Sequence, residues 1–210
     1  MTRRIPESTV HRLSHYLRAL EGFDGGSGTV SSQELAARGQ TTAAQVRKDL
    51  SHFGSFGKRG LGYRVDELSA RLLEILGIDR TWRVALVGAG RIGLALFEYP
   101  AFRSRGYECV AIFDSDPEKI DTVLGDLTIL PPEELEGVIK EFAVELIILA
   151  VPAEAAPEMA TRAVDAGVKG ILNFAPIRLN LPPNVPVEDV NLVMELEALS
   201  FAISQSERQA

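Results

Sequence analysis

The sequence predicts an α/β chain: a small helical unit with a β wing, then a doubly wound parallel sheet, then a terminal helix. Three observations carry this prediction. Residues 31–53 hold two short capped helices in succession. Residues 82–93 run from an apolar, β-rich stretch straight into GAGRIG. From there to residue 190, β-rich runs alternate with helical patterns, the order that builds a parallel sheet.

The first element is set by Val10, Leu13, Leu17 and Leu20, which recur at helical spacing. GFDGGSGT ends that helix in a loop. Ser31 and Glu34 form a capping box for QELAARG, which Gly39 stops. Thr42 and Gln45 predict a second box and a helix over 42–53. On it Val46, Leu50 and Phe53 share an inward face. Gln45, Lys48 and His52 point outward, with Thr41 at the N-terminal edge and Arg47 on the flank. Two short helices joined by a tight turn make a helix-turn-helix, whose second helix suits a DNA major groove. Gln pairs with adenine, and Arg or Lys with guanine or phosphate. Ser51 joins these side chains as a candidate contact.

GSFGKRGLGY then predicts a hairpin wing, with Lys58, Arg59 and Gly60 at its tip, in reach of a phosphate backbone. Asp49 is the dissenting residue. It would repel phosphate unless it orients a neighbouring cation. A helical unit with a merely solvated basic face is the competing reading. Charge favours the first. Residues 1–64 hold 10 Lys and Arg against 5 Asp and Glu, a balance of +5, while residues 65–210 hold 12 against 24, a balance of −12. Only the first part is suited to a polyanion. DELSARLLEILGI, at 66–78, is a helix that closes a first domain of residues 1–78.

In the second domain, residues 79–190, WRVALV (82–87) is a strand and GAGRIG follows it at once. The helix LALFEY comes next and stops at Pro100. ECVAIF (108–113) is the second strand and ends in Asp114. A G-x-G-x-x-G between strand and helix, with an acid 21 residues after its last glycine, is the dinucleotide fingerprint. Gly88 permits the tight turn, Gly90 lets backbone approach a pyrophosphate, and Gly93 lets helix and strand pack closely. Ala89, Arg91 and Ile92 complete the turn, and the helix N-terminus stabilises phosphate charge. Asp114 would bind adenosine ribose hydroxyls and repel a 2′-phosphate, which favours NAD+ and NADH over their phosphorylated forms. ELIILAV (145–151) and KGILNF (169–174) are further strands, separated by the helix AAPEMATRAVDAG, and PVEDV (186–190) is a fifth. Ligands of such sheets lie at the carboxyl ends of strands. Val151, Pro152, Asn173, Phe174 and Pro176 are therefore candidate pocket residues, with Phe174 equally suited to a core.

Hydride transfer needs a proton donor or acceptor beside the nicotinamide. His11, His15 and His52 all lie in the first domain, Cys109 lies on a strand, and no stretch remains for a substrate domain. The nucleotide is expected to be bound and left unreacted, as in a sensor rather than an enzyme. A small oxidoreductase and a CoA-binding module are the rivals, and Asp114 counts against CoA. A single cysteine rules out an intrachain disulfide and a thiolate zinc site, and no metal is expected. No run of about 18 apolar residues occurs, and MTRRIPESTVHRL has no apolar signal region. A cytoplasmic protein is expected. The last segment, residues 191–210, puts Leu192, Leu196, Leu199 and Ile203 on one stripe of a helix. That stripe packs on its own domain or crosses to a second subunit.

RLSHYLRAL, VRKDLSHFGSFGKRGLGY, GAGRIG, FDSDPEK, AVPAEAA and KGILNFAP occur in this order along nearly the whole chain. With them the sequence closely resembles the Rex family of redox-sensing transcriptional repressors. The resemblance implies a winged-helix DNA-binding domain, a Rossmann NAD(H)-binding domain and a C-terminal helix swapped between two subunits. It implies a homodimer on a palindromic operator, released by NADH, with NAD+ competing weakly and favouring the DNA-bound form. The genes controlled would be those that reoxidise NADH. Arg47 and Lys48 match the recognition-helix pair of the family, and Lys58 and Arg59 its wing. Gly88, Gly90, Gly93 and Asp114 match its cofactor site. Arg18 and Tyr99 match two members of a polar switch. Its third member is usually an Asp, but VEDVNL places Asn191 there and Asp189 where the family often has Asn. Either Asp189 substitutes or the switch is wired differently.

Overall fold

Glu7–Glu21 forms α1. Its buried stripe is Leu13, Tyr16, Leu17 and Leu20, the spacing of one helical face. Val10, expected on that stripe, is exposed, and Thr9, one position earlier, is buried in its place. The computed structural model describes residues 5–23, 28–54, 57 and 61–209. It divides into two units, Met1–Arg80 and Thr81–Ala210.

In the first unit, Thr29–Val30 (β1) pairs antiparallel with Tyr63–Arg64 (β2). Between them lie α2 (Ser32–Arg38) and α3 (Ala43–Ser51), and Val65–Leu76 (α4) follows. The wing strand is thus tied to a two-residue strand ahead of the helix pair, too short to show in the sequence. Lys58, Arg59 and Gly60, the expected wing tip, lie outside the described residues. Both arms of the Ser31–Glu34 capping box are made. Only half of the second is made. Thr42 Oγ1 accepts from the Gln45 N–H at 3.1 Å, but the Gln45 side chain turns to Asp49. The helix ends at Ser51, two residues before the expected 53, and His52 and Phe53 close it in a turn. Leu35, Val46, Leu50, Leu68 and Leu72 meet the α1 stripe in one core.

The second unit is a seven-stranded sheet. Trp82–Val87 (β3) is central, with Tyr107–Phe113 (β4) and Leu127–Leu130 (β6) on one side. Leu146–Leu149 (β7), Gly170–Asn173 (β8) and Val187–Asp189 (β9) follow on the other. These six are parallel, and Val123–Leu124 (β5) adds an antiparallel edge. In chain order the parallel strands stand third, second, first, fourth, fifth, sixth, the order of dinucleotide-binding folds. The strands read as unbroken apolar runs because helices can cover both faces. Leu135–Glu141 (α7) and Ala156–Ala166 (α8) build the larger core on one face. Arg91–Phe97 (α5) covers part of the other, where Leu94 and Phe97 meet Leu86, Ile112 and Ile129. Pro100 does not simply stop the preceding helix. It opens a further short one, Pro100–Ser104 (α6), at the first-turn position where its missing N–H costs nothing.

Among the described residues, the rest of that second face, over β7 to β9, is only half-buried. It holds a cavity of about 400 Å3 lined by Val84, Leu86, Leu146, Ile148, Leu172 and Val187, among others. The terminal helix α9 (Leu192–Gln209) buries none of its apolar stripe: Leu192, Leu196, Leu199 and Ile203 are 52–65 % exposed. No helix among the described residues is long and apolar enough to cross a membrane.

Gly88 and Gly93 of the turn after β3 are forced by space, the first because a Cβ there would collide with the Ala150 carbonyl. A Cβ on Gly93 would collide with the Gly88 carbonyl, whereas one on Gly90 would meet nothing within 4 Å. Gly93→Ala is therefore expected to lower the melting temperature of this unit by at least about 4 °C, from an overpacking cost of about 1–3 kcal/mol. Gly90→Ala should leave it unchanged. Thermal melts of the two variants check both.

Candidate functional site

Phe113, Val87, Leu149 and Asn173 are successive register partners across the sheet. The residues that follow them leave four strands along one line. Gly88 N–H donates to Phe113 O at 2.8 Å, Ala150 N–H to Val87 O at 2.8 Å, and Phe174 N–H to Leu149 O at 2.8 Å. The fold thereby brings the glycine turn, Asp114, Val151 and Phe174 to the carboxyl edge, as expected for a doubly wound sheet. Gly88 has φ +101°, a conformation that favours glycine. Gly90 opens onto free space, so nothing in the protein explains its missing side chain.

Asp114 is held from three directions. Its Oδ2 accepts from the Ala89 N–H at 2.8 Å and from Lys119 Nζ at 3.1 Å, and its Oδ1 accepts from the Asp116 N–H at 2.9 Å. The bond to Asp114, working against burial, raises the Lys119 ammonium above its ordinary value. The carboxylate is thus positioned beside the glycine turn before any ligand arrives. Lys119 was not singled out by the sequence, since only the folded FDSDPEK turn brings it back to Asp114.

The other expected residues divide. Arg91 and Ile92 are exposed at the start of α5, Pro152 and Pro176 are exposed, and Val151 and Phe174 are half-buried. Asn173 is buried and fully used inside the fold. Its Nδ2 donates to Ile177 O at 2.9 Å and Asp189 Oδ1 at 2.8 Å, and its Oδ1 accepts from Ala175 N–H at 3.0 Å. It clasps β8 to β9 instead of lining a pocket. The apolar cavity on the sheet face includes none of the residues of the glycine turn.

Of the four switch candidates, Arg18 is exposed on α1 of the first unit. Tyr99 caps α6, half-exposed, with its ring edge-on to Phe102 at 5.7 Å between centroids. Asp189 accepts from Asn173, and Asn191 Oδ1 accepts from the Val193 and Met194 N–H groups at 3.0 and 3.2 Å, capping α9. Asp189 and Asn191 thus both have structural duties within their own unit.

On α3, Lys48, Ser51 and His52 are exposed and Thr41 and Gln45 are half-buried. Arg47 is exposed and donates to Ser32 Oγ at 2.8 Å, and Ser51 Oγ donates to Lys48 O at 2.7 Å. Asp49 resolves the two alternatives left open by the sequence. It faces inward with 0 % of its surface exposed and orients a neighbouring cation, Arg12 of α1. Its Oδ2 accepts from Arg12 Nε at 2.6 Å and Tyr16 Oη at 2.9 Å. Its Oδ1 accepts from an Arg12 terminal nitrogen and from Gln45 Nε2, each at 2.8 Å, and from Thr9 Oγ1 at 3.4 Å. Burial works to raise the Asp49 carboxyl, but the bonds from Arg12, Gln45 and Tyr16 outweigh it and hold it below its ordinary value. Burial first, and the bond to Asp49 second, push the Tyr16 phenol up to about 12. Sequence reasoning missed Arg12 and Tyr16 because they lie 37 and 33 residues before Asp49. The one signal was an acid stranded on a basic helix.

A helix-turn-helix with an outward cationic face, joined to a sheet with a dinucleotide-type edge, defines the class of ligand-responsive DNA-binding regulators. The comparisons agree. A family model described as "Putative DNA-binding protein N-terminus" matches residues 4–51, and one described as "CoA binding domain" matches residues 79–177. The redox-sensing transcriptional repressor Rex of Carboxydothermus hydrogenoformans is 50% identical over 95% of this chain and 97% of its own. Rex 1 of Thermotoga maritima is 45% identical over 97% and 98%. Among solved structures, RSP in complex with β-NAD+ and operator DNA superposes with a TM-score of 0.91 at 35% identity, covering 98% of this chain and 95% of that one. RSP in complex with β-NADH gives 0.87 at 33% identity, over 98% and 97%. The chain belongs to the Rex family of redox-sensing transcriptional repressors. Its relatives carry the name of a regulator, in line with the expectation that it is not an enzyme.

Because the Asp49 carboxyl is lowered in the folded protein, its stabilisation is complete above the unfolded value of about 4 and disappears as pH falls through the lower folded value. Asp49→Asn should cost about 3 kcal/mol at neutral pH. That difference should shrink towards zero in increasingly acid melts.

Proposed function

We propose that the chain is a transcriptional repressor that binds a palindromic operator as a homodimer in the cytoplasm and is released by NADH. The observation that carries this reading is the division of labour within one chain. A helix whose only acid is turned inward offers Arg47, Lys48, Ser51 and His52 outward, and the wing adds Lys58 and Arg59 in sequence. A separate sheet aligns Gly88, Gly90, Gly93 and Asp114 along its carboxyl edge. The similarity to the RSP complexes with β-NAD+ and operator DNA and with β-NADH supports the same assignment.

Gly90 and the start of α5 would take the pyrophosphate, and Asp114 the adenosine ribose hydroxyls. Asp114 is why NAD(H) is preferred to CoA despite the description of the matching family. The nicotinamide ring supplies the signal, since it is cationic in NAD+ and neutral in NADH. Apolar surroundings at Val151 and Phe174 disfavour the cation. A ligand shifts a conformational balance only by its differential affinity, and about 100-fold discrimination is worth about 2.7 kcal/mol.

The exposed stripe of α9 and the half-buried apolar face over β7 to β9 support a homodimer in which each α9 crosses to its partner. Apolar surface on that scale marks an interaction site. A two-fold reader also matches a palindromic site. Deleting residues 192–210 is expected to turn a dimer into a monomer in sedimentation velocity. An unchanged sedimentation mass would remove α9 from the interface.

The direct test is fluorescence anisotropy on a labelled Rex-type palindrome at fixed salt, titrated with NADH, NAD+ and CoA. Release by low NADH, with little effect of NAD+ and none of CoA, is expected. Tight binding indifferent to all three would leave a repressor with another ligand, and release by CoA alone would reassign the sheet.

A further inference from the structure

We propose that Asp49 fixes the polarity of the Gln45 amide, so that the recognition helix presents Gln45 Oε1, an acceptor, to base edges in the major groove. The inference rests on the DNA-binding reading above and names a specificity contact within it.

Gln45 is the third residue of α3, and its N–H is committed to Thr42. The N-terminal residues of a recognition helix are the ones that reach bases. A glutamine amide is ambiguous, because its oxygen accepts and its nitrogen donates, and either end can face a partner. Here the partner removes the ambiguity. Asp49 is an ionised carboxylate and can only accept, so the end that meets it at 2.8 Å is Nε2. Reversing the amide would set two acceptor oxygens against each other. Asp49 cannot turn away to relieve them, because Arg12 grips both of its oxygens and Tyr16 holds one of the two. The grip comes from α1, so the polarity of one groove-facing side chain is dictated from a different helix.

An outward acceptor distinguishes bases by a simple rule. Adenine N6 and cytosine N4 are donors in the major groove, whereas guanine O6 and thymine O4 are acceptors. Gln45 therefore selects an amino base over a keto base at one position of each half-site. Arg47 and Lys48, which only donate, cannot make that selection.

The test uses the full-length protein and an operator enriched from a pool of random duplexes. At each adenine of the half-site, purine replaces adenine to remove only the amine, and 7-deazaadenine replaces it to remove only N7. 2-Pyrimidinone does for cytosine what purine does for adenine. At one position, loss of the amine is expected to weaken binding about threefold to tenfold, the value of one hydrogen bond, whatever the loss from N7, which the second Nε2 hydrogen is free to contact. Gln45→Ala should weaken the natural operator by the same factor and abolish the dependence on the amine. Asp49→Asn offers Gln45 a partner that accepts either end. It should reduce amino-over-keto selection at that position by more than it weakens binding to unrelated duplexes, whereas a purely structural Asp49 would weaken every duplex alike. If Asp49→Asn does not fold, the base analogues and Gln45→Ala decide alone. Amine dependence that survives Gln45→Ala, or N7 dependence with no amine dependence at any half-site position, would overturn the inference and leave the DNA reading intact. Failure to enrich any sequence would overturn the DNA reading itself.

Discussion

Taking the Asp49 carboxylate out of water costs several kcal/mol, and the first unit is organised around meeting that cost. Arg12 and Tyr16 reach it from α1, Gln45 reaches it along α3, and Thr9 closes the last side. Breaking any one of these leaves a buried charge short of partners. The arrangement fixes how α1 meets α3 more specifically than apolar packing would, because hydrogen bonds have direction and methyl contacts do not. The cationic face of α3 exists for the same reason, since the acid that would have neutralised it is spent inside.

The second unit follows a different constraint. Its strand ends must stay in line for the glycine turn and Asp114 to share an edge. The register between Phe113, Val87, Leu149 and Asn173 provides that line. Asn173, the last residue of β8, keeps the edge in place by clasping the chain on either side of it. The same sheet leaves one apolar face half-buried, and α9 carries an exposed apolar stripe, among the described residues.

The fold was legible where the sequence carried one strong period or one rigid turn. The β3 strand, the glycine turn and the α8 helix closed by Gly167 stand where their patterns put them. Residues 115–144 were silent. VL and LTIL are too short to show a period, and α7 is a seven-residue helix whose apolar positions only pay off against α8. Of the candidate site, the exposure of Lys48 and His52 was visible from spacing alone, whereas Gln45, expected beside them, is half-buried and bonded to Asp49. The inward turn of Asp49 was not, because Arg12, Tyr16 and Thr9 are more than thirty residues away and ordinary in type. Asn173 shows the opposite failure, since its place at a strand end made it look like a pocket residue while its amide was needed to hold β9.

The sheet also ends in a particular way. Its outermost strands are β5, of two residues, and β9, of three, with Glu188 and Asp189 on the latter. A long bare margin would offer its unpaired amides and carbonyls to any neighbouring molecule, and molecules joined in that way add on without limit. Margins this short and this acidic give such growth little purchase. Association is steered to side-chain surfaces, which can close on themselves and stop at a fixed number.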